Sequence, residues 1–321
     1  CDWSSDVCSS DLDVARSIEL FPQDEFRLIA ALGLIDADID REALNQFRRD
    51  RIRGLCCVDR GGRLAVIVEP RPTKLETEVI VVHELVHALH RQHLATGSDL
   101  GEGGGFELPS PFIAAVESIP QFVAFRYLET FPAEDRYPVE PELPIVTPAM
   151  VALVGEVPAA MLNFAYFTAV PLAEAVFAER GAAGLLELLR TPPTTTEQVL
   201  YPGRWLSGEN RVSQAAPILP SDATYVDEGR LGVAMLGFLL DEVTTDGARR
   251  ALLAEWTGDR WAMYRTPETG DADCLSVVVE MDSVDAAAQL AELLGQVIAP
   301  SVVLDGDRKS TRLNSSHSSV S

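Results

Sequence analysis

Residues 73–94 read TKLETEVIVVHELVHALHRQHL, and this stretch decides how the chain is interpreted. The chain has five histidines, and four of them lie inside it. Thr73 followed by Glu76 is typical of a capping box, in which each side chain accepts a hydrogen bond from the other residue's free backbone amide. The apolar residues that follow recur at helical spacing. The stretch therefore predicts a buried helix from about Lys74 to about Leu94.

The spacing of the first two histidines predicts a metal site. His83 and His87 are four residues apart, so they share one helix face and both imidazoles can reach one zinc ion at about 2 Å. Glu84 follows His83 and can accept a proton from a water molecule that zinc has made acidic. This HExxH motif supplies two ligands and a general base within one turn. We expect Zn²⁺ as the cofactor and Glu84 as a catalytic residue.

A catalytic zinc site needs a third protein ligand and an open fourth position. Glu117 lies in AAVESIPQF, a segment with helical spacing thirty residues beyond His87, and it is the favoured candidate. His93 is the rival, since HExxHxxHxxH has the spacing of a motif in which glycine turns the chain at the position of His90. With histidine there the helix should continue, and His93 then points about 80° away from His83.

Other residues near the motif have weaker claims. Glu102 and Glu107, in the glycine-rich segment after the helix, are alternative third ligands. His90 lies on the face of the two zinc-binding histidines, and we expect it behind the ligands or at the surface. Arg126 and Tyr127 are expected to pack or to line the rim of the site.

A peptidase also needs a donor that stabilises the oxyanion formed during hydrolysis. Tyr201, in TTTEQVLYPGRW, is our candidate for this catalytic role, and Glu197 lies one turn before it. A structural interpretation is open as well. Thr195 or Thr196 would then cap a short helix with Glu197 in its first turn, and Tyr201 would only pack.

Composition excludes some classes of partner. The 321 residues are 47% hydrophobic and 23% charged, with a formal net charge of -23 and a pI near 4.5. Such acidity argues against binding to nucleic acid or to anionic membranes, since both require basic patches. The longest uncharged run, 157–173, contains two prolines and is short for a bilayer, so no transmembrane segment is expected. The sequence leaves the oligomeric state open.

Both ends differ from the rest of the chain. Residues 1–12 (CDWSSDVCSSDL) contain SSDV and SSDL in tandem, and residues 308–321 (RKSTRLNSSHSSVS) contain six serines and almost nothing apolar. They look like translated sequencing adapter, so we predict an artefactual head, 1–12, and an artefactual tail, 307–321, that pack against nothing. If the head is artefactual, the true N-terminus is missing and the sequence says nothing about a signal peptide.

The remaining pattern predicts an α+β fold, mostly helical. The segments RIRGLCCVD and RLAVIVEP flank the turn DRGG and indicate a small N-terminal β-hairpin before the HExxH helix. The last part, GDRWAMYRT, CLSVVVEMD and SVDAAAQLAELLGQVI, indicates a ββα unit. We expect one zincin-like domain over 13–306, with the metal site in 13–131, a proline-rich linker at 132–147 and a C-terminal helical part at 148–306.

The ordered set of motifs resembles a known family. HELVHALHRQHL, AAVESIPQF and PPTTTEQVLYP are similar to the pattern HELxHALQDQHF, ALxEGxA and PPxSTEQILHP of a largely uncharacterised family of bacterial, gluzincin-like zinc metallopeptidases. The resemblance continues in RLIAALGLI, GLCCVDRGGRLAVI and LAEWTGDRWAMY, and covers nearly all of 13–306. It implies zinc bound by His83, His87 and Glu117, with Glu84 as base. Related chains are often exported, which favours an extracytoplasmic location.

The chain also departs from the family pattern at three places. His90-Arg91 replaces Gln-Asp, Ser118-Ile119-Pro120 replaces the residues after the glutamate, and Tyr201 replaces histidine. These departures concern the surroundings of the metal and the substrate preference more than the metal itself.

The function predicted from the sequence is zinc-dependent hydrolysis of a peptide bond in a peptide or protein substrate. Glu84 would take a proton from the attacking water and later return it to the leaving amine. The alternative is a zinc-binding protein without catalysis, such as a scaffold or interaction protein. A helical interaction domain without metal is a third possibility.

Overall fold

The structure is a computed structural model. It describes residues 23–35, 42, 54–58, 64–68, 71, 73–93, 107, 109–136, 139, 148, 151–152, 155–210, 216–270, 272–297, 305–308 and 310–316. The described residues form an α+β fold in which helices predominate, as predicted.

The helices and strands occur in the following chain order. The first half contains α1 (Gln23–Ala31), β1 (Gly54–Val58), β2 (Leu64–Val68), α2 (Lys74–His93), α3 (Pro111–Leu128), α4 (Ala133–Arg136), α5 (Glu156–Asn163), a π-helical turn (Phe164–Thr168) and α6 (Val170–Arg190). The second half contains α7 (Thr196–Leu200), α8 (Pro202–Leu206), β3 (Thr224–Gly229), α9 (Gly232–Leu239), α10 (Asp246–Leu253), β4 (Trp256–Arg265), β5 (Cys274–Met281), α11 (Val284–Val297), β6 (Asp305–Arg308) and β7 (Ser310–Ser316).

The chain divides into two compact units. The first unit consists of residues 1–22, 38–102 and 114–191, and the second of residues 23–37, 103–113 and 192–321. The range of the predicted proline-rich linker, 132–147, falls within the first unit. Segments that are distant in sequence, 23–37 and 103–113, belong with the C-terminal part of the chain.

The first unit contains the predicted N-terminal hairpin. β1 and β2 are antiparallel, with Gly54 opposite Val68 and Val58 opposite Leu64. Both strands contact α2. The hairpin prediction is therefore confirmed, and the hairpin lies against the helix that carries the HExxH motif.

Helix α2 begins where its capping box predicts. The backbone N–H of Thr73 donates to Glu76 Oε2 at 2.8 Å, and the N–H of Glu76 donates to Thr73 Oγ1 at 3.1 Å. The helix then continues through His90 and ends at His93. The predicted absence of a turn at His90 is confirmed.

Helix α3 packs antiparallel to α2, which brings the middle of one helix to the middle of the other. A buried cluster joins them near the start of α2 and the end of α3. It consists of Val79, Ala124, Leu128 and Val139, with Leu75, Val82 and Tyr127 packed against it. The Tyr127 hydroxyl also donates to Glu78 Oε2 at 3.0 Å.

The long helical stretch after α4 packs on α3 through aromatic side chains. The rings of Phe122 and Phe177 are 5.3 Å apart, and those of Phe125 and Phe167 are 6.0 Å apart. By length and composition, Glu156–Arg190 is long and apolar enough to cross a membrane, with 44% of its most apolar window buried. A buried core helix of a soluble protein meets the same criterion. Length and composition therefore fit both a membrane-spanning helix and a core helix.

The second unit is built around an antiparallel sheet with the strand order β3-β4-β5-β7-β6. β4 and β5 form a hairpin, with Trp261 opposite Val277. Helix α11 follows and contacts β5 through a face that includes Leu290 and Leu294, both fully buried. The predicted C-terminal ββα unit is therefore confirmed.

The structure corrects the prediction for the tail. β7 pairs with β5 along its whole length, from Cys274 opposite Ser316 to Glu280 opposite Ser310. Strand pairing uses backbone N–H and C=O groups, which a serine-rich segment also has, so the lack of apolar periodicity did not exclude a strand. The prediction that the tail packs against nothing is wrong for these residues. Residues 1–12 lie outside the described part, and the artefactual origin of both ends stays a prediction.

Candidate metal centre

Three predicted ligands converge in the first unit. His83 Nε2 lies 3.1 Å from His87 Nε2, and Glu117 Oε2 lies 3.3 Å and 3.2 Å from these two nitrogens. The three residues form the one group with metal-binding potential among the described residues. Helix α2 contributes the histidines from one face, and α3 contributes the glutamate from the facing helix.

The spacing of these three atoms suits a zinc ion. Ligand atoms about 2.0 to 2.1 Å from a tetrahedral zinc ion lie roughly 3.3 to 3.4 Å apart, close to the distances found here. The chemistry agrees as well, because a neutral imidazole nitrogen and a carboxylate oxygen each have a lone pair that can bind a cation. A cation between the three atoms satisfies all of them. The structure thus brings Glu117 together with the two histidines, and its role as third ligand stays a prediction.

The charges of the three residues support one another. Burial raises the pKa of Glu117, but its hydrogen bonds with His83 and His87 outweigh burial and lower that pKa to about 2. Burial also lowers the pKa of His87, and the hydrogen bond and charge of Glu117 more than compensate, so the pKa of His87 is raised. Glu117 is therefore an anion at neutral pH, the form in which a carboxylate binds metal.

Glu84 lies between the metal-binding residues and the hairpin. Its side chain is buried, and the backbone N–H of Cys56 in β1 donates to its carboxylate. β1 approaches so closely that a Cβ atom on Gly54 would lie 2.6 Å from Glu84 Oε1 and 2.8 Å from its Cγ. Burial raises the pKa of Glu84, and the neighbouring His83 partly opposes this. A raised pKa suits a group that must accept and release a proton near neutral pH.

Sequence reasoning missed the contribution of β1 to this site. Gly54 opens the strand, and the sequence pattern predicts a hairpin without specifying which helix it approaches. An isolated glycine in a strand can mark a close approach of another group, and this was the available signal.

His90 lies beside the ligands and is not one of the converging group. Its ring is 9% exposed, and its centroid lies 6.1 Å from that of His87 in an edge-on arrangement. Burial and the charge of His87 lower the pKa of His90 to about 4, so its ring is neutral at neutral pH. This agrees with the prediction that His90 lies behind the ligands.

A tyrosine that sequence reasoning did not single out also lies at the site. The ring of Tyr166, in the π-helical turn, is stacked on the ring of His83 with 6.2 Å between centroids and 26° between planes. No spacing rule links Tyr166 to the HExxH motif, since the contact depends on how the later helices pack.

The TTTEQ segment belongs to the second unit. Thr195 is the N-cap of α7 and accepts a hydrogen bond from the N–H of Gln198 at 3.3 Å. The Tyr201 hydroxyl donates to the backbone carbonyl of Arg250 at 2.8 Å. The helix-cap interpretation of this segment is confirmed, while the catalytic role of Tyr201 stays a prediction.

The structure also describes the positions of three further candidate residues. Glu107 lies in the second unit, where its carboxylate accepts hydrogen bonds from Thr196. Arg126 is exposed and pairs with Glu129, and Tyr127 packs between α2 and α3 as described above. Glu102 and the side chain of His93 lie outside the described part of the chain.

Comparisons with known proteins assign no family to this chain. No family model, no curated protein and no solved structure matches this chain.

Proposed function

We propose that this chain is a zinc-dependent hydrolase that cleaves peptide bonds in a peptide or protein substrate, with a zincin-like arrangement of helix, hairpin and glutamate ligand. The convergence of His83, His87 and Glu117 is the observation that carries the proposal. The buried carboxylate of Glu84 beside them supports it, because a metal site without catalysis needs no such base.

In the proposed reaction the three ligands, Glu84 and Cys56 have different roles. A zinc ion held by the three ligands would lower the pKa of a water molecule to about 7 and polarise the substrate carbonyl. Glu84 would accept a proton from the attacking water as the water oxygen bonds to the carbonyl carbon and the carbonyl π electrons move to the carbonyl oxygen. Glu84 then returns the proton to the amide nitrogen as the carbon–nitrogen bond breaks. The N–H of Cys56 holds the Glu84 carboxylate in place during both transfers.

Replacement of Glu84 by glutamine tests this proposal directly. The variant keeps all three ligands and loses the base, so zinc content should stay near one ion per chain while hydrolysis falls by about a hundredfold or more. Zinc is measured by elemental analysis, and hydrolysis on a broad peptide library with and without chelator. Glu78→Gln is the matched control, because Glu78 lies on the same helix and bonds Lys74 and Tyr127 instead.

The outcomes separate the candidate functions. A wild-type chain that binds zinc and cleaves nothing in the library is a metal-binding scaffold. A chain that binds no zinc is an interaction domain, and the proposal is then wrong.

A further inference from the structure

Tyr166 owes its position to an irregular helical turn. The backbone N–H of Ala169 donates to the carbonyl of Phe164 at 2.8 Å, a bond across five residues in place of the usual four. Such a turn adds one residue and rotates the helix on one side by about 100° relative to the other side. π-Helical turns are rare, and they often occur at functional sites.

The neighbours of Tyr166 in this turn are buried or pack on α3. Phe164 is 1% exposed and Ala165 is also buried, while Phe167 packs against Phe125 of α3. Tyr166 is partly exposed, and its ring is the side chain of this turn that contacts His83. The turn therefore separates one aromatic side chain from the hydrophobic core and directs it at a metal ligand.

To bind a metal ion, His83 needs a contact that fixes the orientation of its imidazole ring. Metal-binding histidines usually donate their second ring N–H to a carboxylate or a carbonyl, which sets the orientation of the imidazole. Among the described residues, His83 Nε2 has hydrogen-bond contacts with His87 and Glu117, and the His83 ring has ring contacts with His87 and Tyr166. No acceptor for its Nδ1 is found in that part of the chain. The ring of His87 meets this imidazole edge-on at 4.8 Å between centroids, and the ring of Tyr166 is the one stacked on its face, where it restricts rotation.

We propose that Tyr166 is a positioning residue that holds the imidazole of His83 in its metal-binding orientation by ring stacking. The inference rests on the proposed function, since it assumes that His83 binds zinc. Loss of a hydrogen-bonding partner of a ligand histidine typically weakens metal binding by 10- to 100-fold, and we expect an effect near the lower end of this range from loss of a stacked ring. The ring carries the effect, so phenylalanine should replace tyrosine without loss.

The test measures zinc affinity by competition with a chromogenic chelator. Tyr166→Ala should bind zinc about tenfold or more weakly than wild type, and Tyr166→Phe should bind it equally well. Tyr166→Leu keeps much of the bulk without the aromatic face and should also bind weakly, which provides a test if the alanine variant does not fold. Tyr127→Ala is the matched control, since it removes an aromatic ring from α3 that meets the ring of Phe131 edge-on. It should lower stability and leave zinc affinity unchanged.

A second readout excludes a merely structural role. Cobalt(II) placed in the site has a visible spectrum that depends on the arrangement of its ligands. The spectrum should change in Tyr166→Ala and Tyr166→Leu and stay the same in Tyr166→Phe and Tyr127→Ala.

The two proposals fail in different ways. A wild-type chain without zinc contradicts the proposed function. A zinc-binding wild type whose affinity and cobalt spectrum are unchanged in Tyr166→Ala contradicts only the role of Tyr166. Equal weakening in Tyr166→Phe and Tyr166→Ala would assign the effect to the hydroxyl group and overturn the stacking argument.

Discussion

Replacement of Glu107 by glutamine should remove much of the pH dependence of stability above neutral pH. Glu107 is 2% exposed, and its Oε2 accepts hydrogen bonds from the N–H and the hydroxyl of Thr196 at 2.5 and 2.8 Å. Its Oε1 is buried without a hydrogen-bond partner in the described structure. Asp259 and Arg230 are the charged groups near it. Burial, together with the charge of Asp259, raises the pKa of Glu107 to about 8, from an ordinary value of 4.5.

The direction of the effect follows from proton binding. Between pH 4.5 and about 8 the folded protein keeps a proton on Glu107 that the unfolded chain has lost. Stability therefore falls as pH rises through this window. At about 1.4 kcal/mol per pKa unit the whole shift corresponds to roughly 5 kcal/mol, of which about 2 kcal/mol is lost between pH 6.5 and 8.5. Burial also raises the pKa of Asp259, to about 6, which lies below this window, and His87, whose pKa is raised as well, titrates in wild type and variant alike, so the difference between the two slopes reports Glu107.

The assay is urea unfolding of metal-free protein followed by tryptophan fluorescence. Three of the four tryptophans, Trp205, Trp256 and Trp261, are buried in the unit that contains Glu107. Wild type should lose about 2 kcal/mol between pH 6.5 and 8.5, and Glu107→Gln should lose much less. The glutamine leaves an amide without an acceptor, which lowers stability by a similar amount at every pH, so the slopes are compared.

Glu134→Gln serves as the control for this experiment. It makes the same change of charge at an exposed position of α4, and its slope should match that of wild type. Equal slopes for wild type and Glu107→Gln would refute the reasoning, because Glu107 would then be charged in the folded protein at neutral pH.

Three further predictions follow from the structure. Gly54→Ala should displace the carboxylate of Glu84 and lower kcat by about tenfold or more, with zinc content unchanged. The double variant Gly54→Ala/Glu84→Asp has a shorter acid and should recover part of that loss. No change in kcat in Gly54→Ala would show that β1 can move aside. Glu117→Ala should lose stoichiometric zinc while His93→Ala keeps it, as elemental analysis would show; the reverse result would make His93 the third ligand. Removal of residues 307–321 should expose the edge of β5, lower the Tm by several degrees and increase aggregation, whereas an unchanged Tm would support the prediction that the tail is dispensable.

Local features of the fold were predictable because each depends on residues that are close in sequence. The capping box needs only Thr73 and Glu76, and the face shared by His83 and His87 follows from helix geometry alone. The two hairpins follow from strand patterns around turns. The pairing of β7 with β5 was missed because backbone hydrogen bonds leave little trace in composition.

The candidate metal centre contains contacts that residues close in sequence do not predict. Helix geometry turned His93 away from the predicted ion, whereas the preference for Glu117 over Glu102 and Glu107 came from the resemblance to zinc sites with a glutamate ligand and from its place in a following apolar helix. Gly54 and Tyr166 could not be predicted, since each reaches the site through packing between elements far apart in sequence. Both act on a residue of the HExxH motif without belonging to any motif. A search for missing parts of such a site should therefore begin with irregular backbone, a glycine at a strand end or a π-helical turn, because the backbone departs from regular geometry where a side chain must be brought to the metal or given room.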